Sequence, residues 1–225
     1  MSLALLFDLD GTLVQTLDAI VHAMNAAMAE IGDSRAFTKE ELRPFIGRPV
    51  QHQLEVLRGI QGGTADGFAD RYYAHFMEIM EQGIRLYPGV QDTFPRLSGR
   101  RVGTMTTRRK NEARRMLELA GLLSHFTAVV GGDEVERPKP APDLPRHSAQ
   151  VLGVRPEDCV VVGDSPVDVL AGRGARAWTV AATYGYGDPR ALAEAKPHAE
   201  IARFGDLPGV LEDLETRAGR RTSGA

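Results

Sequence analysis

Carboxylates set at the ends of apolar runs are the first chemical signal in this chain. Leu3 to Phe7 is apolar and ends in Asp8-Leu9-Asp10-Gly11-Thr12. Residues two apart in an extended chain face the same way, so Asp8 and Asp10 converge while Phe7 and Leu9 pack behind them. Gly11 lets the chain turn away at once. Neighbouring carboxylates repel unless a cation lies between them. A hard divalent ion such as Mg2+ takes oxygen ligands and tolerates water and phosphate oxygens in its shell. The plainer alternative is a loop that uses its aspartates for turns. Val160-Val161-Val162-Gly163-Asp164-Ser165-Pro166-Val167-Asp168 repeats the pattern. Asp168 lies one helical turn beyond Asp164 and can face the same place, although Asp164 and Ser165 also suit a helix cap.

Two further positions carry suitable groups. Arg137-Pro138-Lys139-Pro140-Ala141-Pro142 flanks a lysine with prolines, which restrict the chain around it. A fixed ammonium near the carboxylates would hold both a nucleophile and a phosphate; an ordinary turn with a solvated lysine is the alternative. Val102-Gly103-Thr104-Met105-Thr106-Thr107 is an apolar run ending in hydroxyls, which can donate to a phosphate oxygen.

The elements that must position these groups follow from spacing. Leu3–Phe7 reads as a buried strand. Ile20, Val21, Met24, Met28 and Ile31 recur at helical spacing before Gly32, Thr38 to Glu41 is a capping box, and 49–57 and 68–80 also read as helical. Residues 15–85 therefore hold helices and no convincing strand. After Tyr87-Pro88-Gly89, helices around 90–97, 110–120, 142–152 and 166–173 alternate with apolar runs at 102–105, 127–130, 159–162 and 177–180. That alternation predicts βαβ units and a parallel sheet. The expected architecture is α/β: a Rossmann-like core of residues 1–14 and 86–225 with a helical insertion, 15–85, after the first strand. Residues 219–225 read as a frayed tail.

With 225 residues the chain has the length of roughly 1.5 average domains. Its 43% hydrophobic and 25% charged content is that of a globular protein. A net charge of −3 gives no reason to expect nucleic acid or an anionic membrane as partner. The longest apolar runs are too short to span a bilayer, and no signal-peptide pattern opens the chain. One cysteine, Cys159, fits a reducing compartment and a core position, so a cytoplasmic location is expected. The six histidines show no zinc-binding spacing.

Taken together, Phe7-Asp8-Leu9-Asp10-Gly11-Thr12, Thr106, Lys139 and Gly163-Asp164-Ser165-Pro166-Val167-Asp168 resemble, in order, the four motifs of the haloacid dehalogenase-like superfamily, in its phosphoglycolate phosphatase-like branch. Gly131-Gly132-Asp133 and Tyr184-Gly185-Tyr186-Gly187 extend the resemblance, which spans residues 1 to 214. It implies that Asp8 is the nucleophile forming an aspartyl-phosphate, and that Asp10 protonates the leaving oxygen and then activates water. Thr106 would bind the phosphoryl group and Lys139 neutralise it. Mg2+ would be held by Asp8, the Asp10 backbone carbonyl and Asp164, with Asp168 in support, while the inserted helices would form a cap. Asp10 separates this pattern from the dehalogenases, which lack it. The phosphonate-cleaving branch uses a cap lysine for a Schiff base, but Lys39, the single lysine in the helical stretch, sits in the capping box, where a solvated helix lysine is the expected reading.

The expected function is therefore a Mg2+-dependent phosphatase of a small phosphate monoester, 2-phosphoglycolate first. A sugar phosphomutase of the same superfamily, and a phospho-accepting signalling domain, are the alternatives. The second is about half this length and lacks a helical insertion. Three features depart from the family pattern or bear on substrate choice: Gln15-Thr16 after Leu13-Val14, Thr107 after Thr106, and Arg48, which could reach a substrate carboxylate.

Overall fold

The structure, a computed structural model, describes residues 2–222. Its strands β1 (Ala4–Phe7), β2 (Val102–Thr104), β3 (Cys159–Gly163), β4 (Trp178–Ala182) and β5 (Ala199–Ile201) form one sheet in the order β2-β1-β3-β4-β5. Every pairing is parallel, and β1 lies between Val102–Thr104 on one side and Cys159–Val162 on the other. Alternate residues pack on opposite faces. Leu5, Phe7, Val160 and Val162 join one apolar cluster, while Ala4, Leu6, Cys159 and Val161 join another. A strand covered on both faces reads as an unbroken apolar run, which is why these were legible. Phe7 is fully buried against the rings of Phe94, Phe126 and Phe204, at centroid distances of 5.5, 6.3 and 5.8 Å. Burying one such side chain contributes about 1.5–3 kcal/mol.

Between β1 and β2 the chain forms α1 (Leu17–Glu30), α2 (Lys39–Leu42), α3 (Val50–Arg58) and α4 (Gly62–Gln82). Ala23 and Ala27 of α1 leave room for the larger Phe68, Tyr72 and Phe76 of α4, and all are buried in the cluster that also holds Phe7. The expected capping box is formed: Thr38 Oγ1 accepts from Glu41 N–H, and Glu41 accepts from Thr38 N–H. The segments entering and leaving these helices run side by side. Gln15 N–H donates to Arg85 O at 2.8 Å, and Tyr87 N–H to Leu13 O at 3.0 Å. The Gln15 amide donates to Leu86 O, so this departure from the family pattern ties the two segments together. The Thr16 hydroxyl makes no cap bond. Instead the Tyr186 phenol oxygen accepts the N–H groups of Thr16 and Leu17, at 2.6 and 3.0 Å.

The core helices are α5 (Val90–Thr93), α6 (Lys110–Leu119), α7 (Asp143–Val151), α8 (Pro166–Gly174), α9 (Pro189–Glu194) and α10 (Leu207–Thr222). Three differences from the sequence reading stand out. Residues 127–130 are not a strand: their ladder with β2 is a single bridge, Ala128 to Gly103. There the Thr104 hydroxyl takes both the N–H and the O of Val130, replacing the next rungs of a ladder. The elements β5, α9 and α10 were not foreseen. The expected tail is helical through Thr222, and 223–225 lie outside the described residues. No helix among the described residues is long and apolar enough to cross a membrane.

Candidate active site

The chain leaves β1 for β2 on one side and returns to β3 on the other. In open α/β sheets the crevice at such a switch, outside the carboxyl ends of the strands, is where ligands bind. Asp8 follows β1, its N–H donating to Val162 O of β3, and Asp164 follows β3. Lys139 Nζ lies 3.1 Å from Asp8 Oδ1 and 2.6 Å from Asp168 Oδ1. The other Asp168 oxygen accepts from Ser165 N–H, so this residue caps α8 and holds the lysine at once. Asp164 accepts from the Thr12 hydroxyl at 2.9 Å and from Tyr186 N–H at 2.7 Å. Carboxylate oxygens of Asp8, Asp164 and Asp168 lie within 4.8 Å of one another, in a cluster buried throughout.

Charge at this place is out of balance. Asp8, Asp10, Asp164, Asp168, Lys139 and Arg108 are each no more than 6% exposed. Four carboxylates against two cations leave two negative charges without a counter-ion. Burial pushes the Asp8 carboxyl up to about 7, against the pull of Lys139, with Asp168 and Asp10 adding to the rise. Burial likewise raises Asp164 well above the ordinary aspartate value, with Asp168 and Asp8 pushing the same way. Burial alone would lower the Lys139 ammonium, but Asp168 and Asp8 outweigh it and hold it above the ordinary lysine value. An all-oxygen donor set short of two positive charges fits a hard divalent cation, which carboxylates this close together could hold.

The family model described as haloacid dehalogenase-like hydrolase matches residues 5–182. The chain belongs to the haloacid dehalogenase-like hydrolase family. It is 29% identical to pyrophosphatase PpaX of Listeria monocytogenes, over 94% of this chain and 97% of that one. It is 31% identical to phosphoglycolate phosphatase of Salmonella typhimurium, over 91% and 90%. The crystal structure of CbbY from Rhodobacter sphaeroides in complex with phosphate superposes with a TM-score of 0.82 at 25% identity, covering 92% of this chain and 96% of that one. The expected place in the phosphoglycolate phosphatase-like branch agrees with these relatives.

In this hydrolase the remaining predicted residues do not all join the cluster. Asp10 sits at the same strand end, but its carboxylate is turned to Arg108 in a two-point pair: Nε to Oδ2 and Nη2 to Oδ1, both 2.7 Å. Only its backbone carbonyl was expected at the metal. Thr106 is fully buried beyond β2, its hydroxyl accepting from Arg108 N–H. Thr107 and the exposed Arg48 line a cavity of about 30 Å3, together with Asp10, Arg108, Gln53, Tyr72 and others. Arg48 also borders a cleft of about 220 Å3 that reaches Asp164 and Ser165 from the other side. Lys39 is exposed and paired with Asp18.

Sequence reasoning passed over Arg108 and Gln53. It noticed the second glycine-rich stretch without giving it a task. A Cβ at Gly185 would sit 2.2 Å from Asp164 Cβ, and one at Gly187 2.1 Å from Asp164 O. Gly11, at φ +82°, also crowds Asp164, where a Cβ would meet its Oδ2 at 2.2 Å. The glycines wrap Asp164 closely enough that its carboxylate has one place to go.

Proposed function

We propose that this phosphatase of the haloacid dehalogenase-like family hydrolyses a small phosphate monoester through an aspartyl-phosphate on Asp8, with Mg2+ as its metal. The observation that carries the reading is the buried Asp8–Asp164–Asp168 group with Lys139 across two of its members, at the carboxyl ends of adjacent strands. Candidates follow from the relatives' names: 2-phosphoglycolate first, then inorganic pyrophosphate.

A carboxylate is a weak nucleophile, so it needs alignment and charge neutralisation more than a base. Lys139 fixes the Asp8 carboxylate at Oδ1, leaving Oδ2 to form the bond to phosphorus as the bond to the leaving oxygen breaks. Bound at Asp8, the Asp10 carbonyl and Asp164, Mg2+ would offset charge on the phosphoryl oxygens. Thr106 presents a hydroxyl to one of those oxygens. Asp10 gives a proton to the departing oxygen, then takes one from the water that cleaves the aspartyl-phosphate, so one residue serves both steps. Residues 15–85 act as the cap over a core of 1–14 and 86–225. The cavity beside Asp10 is bounded by these helices, so opening of the cap would admit substrate and closing would exclude water. A buried, unpaired Cys159 suits the cytoplasmic setting expected for this reading.

A panel of phosphate monoesters and pyrophosphate, assayed with EDTA and then with added Mg2+, tests the reading. Phosphate release that stops with the chelator and returns with Mg2+ is expected. Release indifferent to metal, or none from any small ester, would overturn it.

A further inference from the structure

Arg108 has no part in the chemistry just described, yet it is built into the site with care. Its guanidinium is 5% exposed and lies over the ring of Phe76 on α4, with Cζ 3.5 Å from the ring centroid. One edge of its fork holds both oxygens of Asp10. The third nitrogen, Nη1, is buried with no hydrogen-bond partner. The cavity that Arg108 lines is also lined by Gln53, whose amide nitrogen donates to Arg48 O while its Oε1 is buried without a partner. A buried donor and a buried acceptor on one small cavity are both costly to leave unmet.

We propose that Arg108 is the subsite for an anionic group on the leaving portion of the substrate, and that the incoming anion takes over the guanidinium and frees Asp10 for its work on the leaving oxygen. The proposal rests on the phosphatase reading above, since it needs Asp10 to act there. Charge points to an anion. The Asp10–Arg108 pair is desolvated, and removing one partner of such a pair strands the other. A neutral hydroxyl cannot replace a carboxylate on a buried guanidinium, whereas a carboxylate or phosphate can, with the same planar two-point match. Neutrality at Arg108 is then kept throughout the exchange. Gln53 and Tyr72 line the same cavity and would border the group on its other sides. A substrate bearing such an anion unlocks the acid–base residue, while an ester of a neutral alcohol leaves it clamped.

The test compares matched esters on the full chain with Mg2+: 2-phosphoglycolate against 2-hydroxyethyl phosphate, and pyrophosphate against methyl phosphate. The unmodified enzyme is expected to favour the anionic member of at least one pair by about 100-fold or more in kcat/KM, part of it in kcat. In Arg108→Gln that preference should fall below about tenfold, and Arg108→Lys should keep only part of it, because an ammonium lacks the fork. Equal rates on both members of both pairs by the unmodified enzyme would sink the proposal and leave the phosphatase reading standing, and that comparison needs no variant to fold. An undiminished preference in Arg108→Gln, or equal loss on charged and neutral esters, would do the same. No phosphate release from any of the four would sink the phosphatase reading, and this proposal with it.

Discussion

At Asp8 the protein keeps a carboxylate out of water that burial pushes up to about 7, and gives it one lysine as compensation. A group in that position is poised for a reaction rather than for stability, because an apolar or amide side chain of similar shape would sit there at lower cost. Asp8→Asn is accordingly expected to fold with an unchanged or higher thermal midpoint while turnover drops more than about 100-fold, equivalent to about 2.7 kcal/mol of lost transition-state stabilisation. Steady-state kinetics and a thermal melt on the same preparation check both halves. Residual turnover above that level would take the nucleophile's role from Asp8. Asp10 is a different kind of residue. It sits two positions along the same strand end, yet its partner is Arg108, 98 residues away.

Elements do here what residues alone cannot. The turn Tyr184-Gly185-Tyr186-Gly187 follows β4 and delivers three things to the site. The Tyr186 N–H bonds Asp164, the Tyr186 phenol oxygen accepts from the first residues of α1, and the Tyr184 phenol donates to Thr12 O. One turn thereby couples the position of Asp164 to the place where the inserted helices begin. Its glycines are required by contact: a methyl at Gly185 would lie 2.5 Å from both Asp164 Oδ2 and Gly11 O, neither of which can yield cheaply. Gly185→Ala is expected to displace Asp164 and raise the Mg2+ concentration for half-maximal activity at least about tenfold, the usual scale for disturbing a group that orients a metal ligand. An unchanged Mg2+ titration would mean that this turn does not position the ligand.

For the whole molecule, the excess of buried acid makes stability depend on pH and metal together. Between the ordinary aspartate value near 3.8 and about 7, folded Asp8 holds a proton that the unfolded chain has released. The folded state then binds more protons, so stability falls as pH rises through that window. Asp164 is raised too and adds with the same sign. Carboxylates held low, such as Asp33 beside Arg35 at about 2, act only when pH drops below the ordinary carboxylate range, outside the window. The metal-free protein is therefore expected to melt at a lower temperature at pH 8 than at pH 5. Added Mg2+ should raise the midpoint more at pH 8, where the ligands are ionised and the bound cation favours the folded state by mass action. A metal-free midpoint that climbs from pH 5 to pH 8 would contradict the charge balance drawn for the site.

What the amino-acid sequence decided by itself was local. An apolar run buried on both faces is recognisable without its neighbours, and so is the acidic residue at its end; β1, β2, β3 and β4 and the carboxylates Asp8, Asp10, Asp164 and Asp168 were legible for that reason. Lys139 was legible because prolines mark its rigidity. The capping box at Thr38 depends on four consecutive residues and was equally plain. β5 was not legible, since three residues carry no period, and 127–130 was misread because a Thr104 side chain ended the ladder from outside. The helix at Leu207, Leu211 and Leu214 had a period that was there to be seen. Only the tertiary structure decided which carboxylate meets which cation. Lys139 could have paired with any of four aspartates, and nothing near Arg108 in the chain marks it out from the other 22 arginines. Ion pairing in a buried site is set by packing across long sequence separations, where a shift of an ångström or two changes partners. The chemistry was therefore written at the strand ends, while the residue proposed here to select the substrate came into view only when α4, β1 and β2 closed around it.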